Sequence, residues 1–146
     1  MMASKMKVVI DTNVLLVSIS ARSPYHWLYK AVIEKKIDVY LTTDILHEYE
    51  EKIAEHWSVE VARAVIRTLT ELSSVHLITT YFRFQLIIND ADDNKFADCA
   101  FAADVDFLIT NDKHFDDLKE ISFPKIRTVR LEEFEPFLKK KNTKRV

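Results

Sequence analysis

Short apolar runs that break abruptly into polar residues recur along the chain, and segments of helical periodicity lie between them. The first run, residues 8–10, is β-branched and leads at once into Asp11, Thr12 and Asn13. An apolar run of this kind is typical of a strand that is buried on both faces in the middle of a parallel sheet. The same pattern predicts further strands at residues 38–42, 76–78, 107–110 and 127–129.

Apolar residues between these runs recur every three or four positions, which predicts helices. Ser23 and Pro24 are typical of an N-cap and a first helical position. Thr43 or Asp44 caps the helix after the second strand, and Ser58 begins the next helix. Helices are predicted at residues 14–20, 24–35, 44–57, 58–72, 93–103, 114–118 and 131–138, and residues 81–88 stay open between strand and loop. The positions predicted to be buried are Leu46, Tyr49, Ile53 and Trp57 in the third helix and Val61, Val65, Leu69 and Leu72 in the fourth.

Strands that alternate with helices predict an α/β fold in which a central, mostly parallel sheet of about four to five strands is wrapped by helices. No repeat or linker divides the 146 residues. A single domain is therefore predicted for residues 1–146, with its core at about 6–138 and a basic tail at 139–146. Such a tail is typical of a solvated, frayed end, and it can also assist in holding a polyanion.

The chain contains no glycine. This excludes every glycine-rich phosphate loop, so no Walker motif and no dinucleotide fingerprint is present. Left-handed positions after helices and in turns are expected to fall to Asn and Asp. The single cysteine, Cys99, cannot form an intramolecular disulfide and lies in an apolar helical stretch, so it is predicted to be a core residue.

Charge and hydropathy bear on nucleic-acid binding and on membrane or secreted locations. The net charge of −2 gives no general case for nucleic-acid binding. No apolar run approaches the roughly 18 residues of a membrane span, and residues 1–5 are too polar for a signal peptide. These features predict a cytoplasmic protein without a membrane segment.

Carboxylates fall where a parallel sheet would bring them together. Asp11 and Asp112 stand at or just past the ends of predicted strands, and Glu48 lies in the first turns of the helix after the second strand. Strand ends and the first turns of the following helices share one edge of such a sheet. Asp93 opens a helix before the Asp112 strand, and it reaches the same edge only if a strand-like segment at 87–89 precedes it.

Carboxylates gathered at one edge raise one another's pKa unless a cation lies among them. This cluster has neither cysteine nor paired histidines, so it suits Mg²⁺ or Mn²⁺ bound through oxygen and disfavours zinc. Ions of this kind serve the in-line hydrolysis of a phosphodiester. The side chains that would orient the carboxylates and the bound waters are Thr12, Asn13, Thr110 and Asn111.

The same acids also have simpler interpretations. Asp93 and Asp112 are also explained if each is simply a helix N-cap with no further role, and the same holds for Asp11. Periodicity does not separate Glu48 from the solvated glutamates beside it. Asp98 lies five residues beyond Asp93 and does not share its helix face, so it is a second-rank candidate. The residues alone therefore leave a metal site and a set of helix caps both open.

With these residues named, the chain resembles the PIN domain family over nearly its whole length. Each matching motif is weak by itself, whereas four in this order and spacing form a specific signal. The nearest subgroup is bacterial PIN proteins described as toxin components of toxin–antitoxin systems. The segments that resemble the family's four acidic motifs, in order, are residues 8–15, 43–48, 90–96 and 106–113.

This resemblance implies a ribonuclease that depends on Mg²⁺ or Mn²⁺ and cleaves RNA. Asp98 matches a position that is often acidic in the subgroup, which makes it a further candidate for the site. Homodimers and small antitoxin proteins are common in the family, so both are candidate partners. The catalytic and metal-binding acids that the resemblance implies are Asp11, Glu48, Asp93 and Asp112.

Two positions depart from the family pattern. Related sequences often have glycine where this chain has Asp104 and Asn111. Asp104 is predicted to take the left-handed position after its helix, so the fold should survive the change. Asn111 is predicted to alter the rim of the site.

Two rival functions remain at this point. A phosphotransfer module of the haloacid-dehalogenase type would use Asp11 as nucleophile, but it requires a second aspartate where this chain has Asn13. A non-catalytic module that binds RNA or a partner protein would use the acids as caps only, and the sequence leaves that alternative open.

Overall fold

A five-stranded parallel sheet forms the centre of the molecule. The structure is a computed structural model and describes residues 5–87 and 93–143, the last three of them by their backbone alone. The strands are β1 Met6–Ile10, β2 Ile37–Leu41, β3 Val75–Leu77, β4 Phe107–Ile109 and β5 Thr128–Val129. They lie in the spatial order β3-β2-β1-β4-β5, and every neighbouring pair is parallel. The predicted α/β fold is confirmed, and each predicted strand lies within two residues of an observed one.

The strand β1 occupies the middle of the sheet, as its continuous apolar run predicts. Val8 pairs with Val39 of β2 on one side and with Phe107 of β4 on the other. Val8 and Val9 have no exposed surface, so both faces of the strand are covered. Burial of a side chain of this size contributes roughly 1.5–3 kcal/mol. This burial holds the end of β1, and the polar residues that follow it, at a fixed place on the sheet edge.

Six α-helices and one 3₁₀ helix are found within the described residues. They are α1 Thr12–Ile19, α2 His26–Ile33, α3 Thr43–His56, α4 Val59–Glu71, α5 Asn94–Ala103, the 3₁₀ helix Lys113–Glu120 and α6 Leu131–Thr143. The expected start of α2 at Pro24 is wrong, because Ser23 and Pro24 form a turn in which the Ser23 hydroxyl accepts the Tyr25 N–H at 3.0 Å. The helix α6 continues past residue 138, so the first part of the predicted basic tail is helical rather than frayed.

The buried faces of α3 and α4 are rotated slightly from the predicted ones. In α3 the residue Ile45 is buried, whereas Leu46 is only partly buried and Trp57 is 45% exposed. In α4 the small residue Ala62 is buried and Val61 is partly buried. Adjacent apolar residues fit the same helical spacing almost equally well, and packing against the sheet decides between them. The buried residues that the pattern predicted correctly are Tyr49, Ile53, Val65 and Leu69.

Left-handed positions are filled without glycine. Lys35, Gln85 and Asp104 have φ angles of 59°, 52° and 51°. Asp104 ends α5 as predicted, whereas the expectation that Asn and Asp fill such positions is wrong for Lys35 and Gln85. Lys35 ends α2, where the Lys36 N–H donates to the Ala31 carbonyl at 2.9 Å. Capping bonds of this kind offset the roughly 1–2 kcal/mol that a left-handed residue costs.

Predictions for Cys99, for residues 81–88 and for membrane spans can also be compared with the structure. Cys99 is fully buried as predicted, and burial raises the pKa of its thiol to about 12. Residues 81–87 form neither strand nor helix, and Ile88 lies outside the described residues. In the part of the chain that the structure describes, no helix has both the length and the apolar character that a membrane crossing requires.

Candidate functional site

The carboxyl edge of the sheet brings Asp11 and the residues after β4 together. Strands β1 and β4 pair in register at Ile10 and Ile109, and the Asp11 N–H donates to the Ile109 carbonyl at 3.0 Å. The Thr110 hydroxyl then donates to Oδ2 of Asp11 at 2.8 Å. Strand pairing thus fixes a contact between residues 99 positions apart in the chain.

Asp112 caps the 3₁₀ helix and turns His114 toward the same place. Its N–H donates to the Thr110 hydroxyl at 3.1 Å, and its Oδ1 accepts the His114 N–H at 2.9 Å. The Nδ1 atom of His114 lies 3.3 Å from Oδ1 of Asp112. Asp112 is therefore both an N-cap and a member of a polar cluster, so the two interpretations of this residue are compatible.

Asp93 reaches this cluster from the start of α5. Its Oδ2 lies 3.9 Å from Nδ1 of His114. Donor atoms of Asp93, Asp112 and His114 all lie within 4.8 Å of one another. The sequence pattern did not identify His114 as a site residue. The one sequence feature that could have done so is that His114 lies two residues after Asp112, an aspartate that caps a helix.

Of the segment 87–89, for which a strand-like conformation was expected, only Ile87 lies within the described residues. Ile87 belongs to an irregular stretch, and residues 88–92, which include the first three positions of the third motif, lie outside the described residues. The Asn94 side chain accepts the Ile87 N–H at 2.8 Å and donates to its carbonyl at 3.1 Å. The Asn94 amide therefore anchors the backbone of Ile87 to the first residue of α5.

Glu48 lies beside the cluster but is held by two other groups. Its carboxylate accepts a hydrogen bond from the Thr12 hydroxyl and forms an ion pair with Lys95 at 2.6 Å. Lys95 is two residues after Asp93, in the first turn of α5. The ion pair thus connects α3 to the helix that carries Asp93.

Asp98 contacts the irregular segment that precedes α5. Its Oδ1 accepts the Phe84 N–H at 3.1 Å, which ties the irregular segment before α5 to that helix. Burial raises the pKa of Asp98, and the Phe84 N–H opposes this by stabilising the ionised form. The structure therefore gives Asp98 a contact that positions a loop.

The two asparagines expected to support the site differ in their surroundings. Asn111 accepts the Leu131 N–H at 3.0 Å through its side-chain oxygen, so it binds the start of α6 instead of orienting a carboxylate. Asn13 is exposed at the rim. Both asparagines line a cleft of about 230 Å³ that also borders Asp11 and Asp112.

Burial and nearby charges set the electrostatics of the cluster. Asp11 is 5% exposed, and its burial raises its pKa to about 6, opposed by the hydrogen bond from Thr110. The charges of Asp112 and Glu48 raise the pKa further. Two carboxylates and an imidazole within one ion's reach, with a third carboxylate beside them, form a donor set that fits a divalent cation.

A family model described as PIN domain matches residues 7–114, a range that includes all four predicted acids. The chain belongs to the PIN domain family. This PIN domain is also 31% identical, over 150 residues, to an uncharacterized protein of Methanocaldococcus jannaschii, with 92% of this chain and 95% of that protein covered. The match extends over nearly the whole of both proteins.

Solved structures of low sequence identity share the fold of this PIN domain. VapBC2 from Rickettsia felis, bound to a DNA fragment from its promoter, is 16% identical with a TM-score of 0.58, covering 86% of this chain and 98% of that one. DNA-bound VapBC from Salmonella typhimurium is 14% identical with a TM-score of 0.56, with the same coverage. The RRP44 PIN domain of T. brucei is 13% identical with a TM-score of 0.57, covering 97% of this chain and 83% of that one.

Proposed function

We propose that this PIN domain is a metal-dependent endoribonuclease of the toxin type that hydrolyses RNA phosphodiester bonds. The observation that supports it most directly is the convergence of Asp93, Asp112 and His114, with donor atoms within 4.8 Å, beside the buried carboxylate of Asp11. A PIN domain that served only as a scaffold would not need charged groups gathered and partly buried at one sheet edge, because such groups are costly to desolvate.

Asp93 and Asp112 would hold Mg²⁺ or Mn²⁺, and Asp11 would complete the site from the end of β1. A divalent cation at this place supplies Lewis acidity toward a phosphate oxygen. In the reaction, a water oxygen would bond to phosphorus while one ester bond from phosphorus to a ribose oxygen breaks, and the proton that the water loses would end on the departing ribose oxygen. The Thr110 hydroxyl donates to Asp11 at 2.8 Å and would hold that carboxylate in a fixed orientation during the reaction.

Glu48 and Lys95 would contribute to the site from α3 and α5. Their ion pair of 2.6 Å places an ammonium group next to the acids, where the negatively charged RNA backbone would approach. Glu48 holds this ammonium and thereby acts as the fourth acid of the site. The exposed Lys113 would add a second backbone contact from the start of the 3₁₀ helix.

The proposal includes a protein partner. Two similar solved structures are VapBC complexes, which supports a small antitoxin protein as partner of this chain. A homodimer and a cytoplasmic location stay predictions from the sequence.

The test is cleavage of a structured RNA pool by the purified full-length chain with Mn²⁺ or Mg²⁺, and with EDTA. Asp11→Asn and Asp112→Asn should each lower the cleavage rate by at least about 100-fold, because each removes a carboxylate from the site. The matched control is Asp116→Asn on the same 3₁₀ helix, where the exposed carboxylate pairs with Lys119 at 3.0 Å. That variant should cleave like the wild type.

Absence of cleavage with both metals, in a protein whose circular dichroism shows it folded, would overturn the nuclease proposal. Retention of the RNA on a filter under those conditions would favour the non-catalytic binding module. Cleavage that survives both Asp11→Asn and Asp112→Asn would place any activity elsewhere.

A further inference from the structure

We propose that the imidazole of His114 is a metal ligand, so that the site binds Mn²⁺ in preference to Mg²⁺. This inference rests on the proposed function, because it names the cation of the same site. It departs from the all-oxygen site that the sequence predicted.

The spacing of the three side chains is that of ligands to one ion. Nδ1 of His114 lies 3.3 Å from Oδ1 of Asp112 and 3.9 Å from Oδ2 of Asp93. Two ligands that each lie about 2.1 Å from an octahedral ion are separated by about 3 Å when adjacent and about 4 Å when opposite. Binding would therefore require only small adjustments of these side chains.

The backbone holds the imidazole in place. Phe115, the next residue, is 1% exposed and packs edge-on against Phe96 of α5, with ring centroids 6.4 Å apart. The Phe115 N–H also donates to the Asp112 carbonyl at 3.2 Å. The aromatic pair thus joins the helix that begins at Asp93 to the turn that carries Asp112 and His114.

The imidazole presents its inner nitrogen to the acids and its outer edge to solvent. The Nδ1 atom of His114 is buried, as is Oδ2 of Asp93, although the His114 side chain as a whole is 45% exposed. Coordination through Nδ1 leaves Nε2 to carry the ring proton on the solvent side. Both of these atoms are therefore shielded from bulk solvent.

A nitrogen donor changes which ion the site prefers. Mg²⁺ binds oxygen almost exclusively and gives up its waters reluctantly. First-row transition ions accept imidazole alongside carboxylate, and their affinity for a mixed site rises along the series from Mn²⁺. Two carboxylates and one imidazole should therefore favour Mn²⁺ over Mg²⁺, where carboxylates alone would discriminate less.

The test is metal binding by the full-length chain, measured without RNA. Electron paramagnetic resonance reports free Mn²⁺ in a titration, competition gives the Mg²⁺ affinity, and electron spin-echo modulation detects a ¹⁴N nucleus bound to Mn²⁺. The variants are His114→Gln and Asp112→Asn. The matched control is His56→Gln, a change of an exposed histidine at the end of α3.

We expect the wild type to bind Mn²⁺ at least about 10-fold more tightly than Mg²⁺ and to show ¹⁴N modulation. His114→Gln should weaken Mn²⁺ binding about 10-fold or more, leave Mg²⁺ binding nearly unchanged and abolish the modulation. His56→Gln should resemble the wild type. Equal thermal stability of His114→Gln and wild type in EDTA would show that the variant folds.

The outcomes separate this inference from the proposed function. If Asp112→Asn abolishes Mn²⁺ binding while His114→Gln changes neither affinity nor modulation, His114 is not a ligand and the nuclease proposal stands. If Asp112→Asn and the wild type bind Mn²⁺ equally, no metal occupies this site and both proposals fall.

Discussion

Asp11 shows how one buried side chain can oppose the stability of the fold that holds it. It is 5% exposed, against 9% for Asp93, and its burial raises its pKa to about 6 from a usual 3.8. The hydrogen bond from Thr110 recovers only part of this cost. Ionised Asp11 therefore destabilises the metal-free protein, as expected of a group kept in place for function.

The first prediction concerns the pH dependence of this cost. A carboxyl whose folded pKa lies above its unfolded pKa binds its proton more tightly when folded, so its contribution to stability falls as pH rises from about 4 to about 6. In EDTA at pH 8, Asp11→Asn should be more stable than the wild type by up to about 3 kcal/mol, and at pH 3 the difference should vanish. Urea unfolding at several pH values measures it.

Every other titratable group is common to both proteins, so the difference between them reports Asp11 together with its coupling to Asp112 and Glu48. Asp116→Asn, which removes an exposed carboxylate, should show no such pH-dependent gain. Equal stability of Asp11→Asn and wild type at pH 8 would contradict the assignment.

The helix α5 contributes Asp93, its N-cap, and Lys95 to the site. It begins beside Asp93, presents Lys95 to Glu48 and ends at Asp104 in the left-handed conformation. The Val105 N–H donates to the Ala100 carbonyl at 3.2 Å and closes this end. Loss of the cap would loosen the helix that positions Asp93.

The second prediction concerns this cap. Asp104→Gly should leave the free energy of unfolding unchanged or raise it, because glycine has no Cβ to clash at a φ of 51°. Asp104→Ala should lower it by about 1 kcal/mol, since alanine keeps the clash without a polar side chain. Thermal unfolding compares the two, with Asp117→Ala at an exposed position as control. A more stable alanine variant would contradict the argument.

Strands and helix ends could be predicted where neighbouring residues in the sequence determine them. The strands are short apolar runs that end in polar residues, and the Ser58 cap of α4 is visible in the sequence and accepts the Val61 N–H at 3.1 Å. The first buried position of α3 was predicted one residue off, because Ile45 and Leu46 are adjacent and both apolar. The periodicity of apolar residues locates the buried face of a helix only to within about one residue. Packing against the sheet decides which of two adjacent apolar residues is buried.

The whole molecule assembles its site from segments that are distant in the chain. Sheet order places β1 beside β4, and this brings Asp11 to Thr110 and Asp112. The packing of Phe96 against Phe115 then brings Asp93 to the same edge. A cation bound to these groups would require them to be close together, and they are close only in the folded protein. Binding of the cation would therefore stabilise the folded state.

The third prediction follows from this linkage. A ligand that binds only the folded state stabilises it by about 2.7 kcal/mol at a concentration 100-fold above its Kd. Saturating Mn²⁺ should therefore raise the Tm of the wild type and of Asp116→Asn by several degrees over EDTA, and should leave Asp112→Asn unshifted. An equal rise in all three proteins would indicate binding elsewhere.

The sequence by itself determined the parallel α/β fold, the absence of a glycine-rich phosphate loop, and the placement of Asp11 and Asp112 at strand ends. These follow from local patterns, because an apolar run that breaks into polar residues fixes where a strand stops. Only the tertiary structure decided that Glu48 pairs with Lys95, that Asp98 turns to Phe84, and that His114 joins the acids. Each of these contacts depends on the direction of a side chain after distant elements have packed, and no local pattern carries that information.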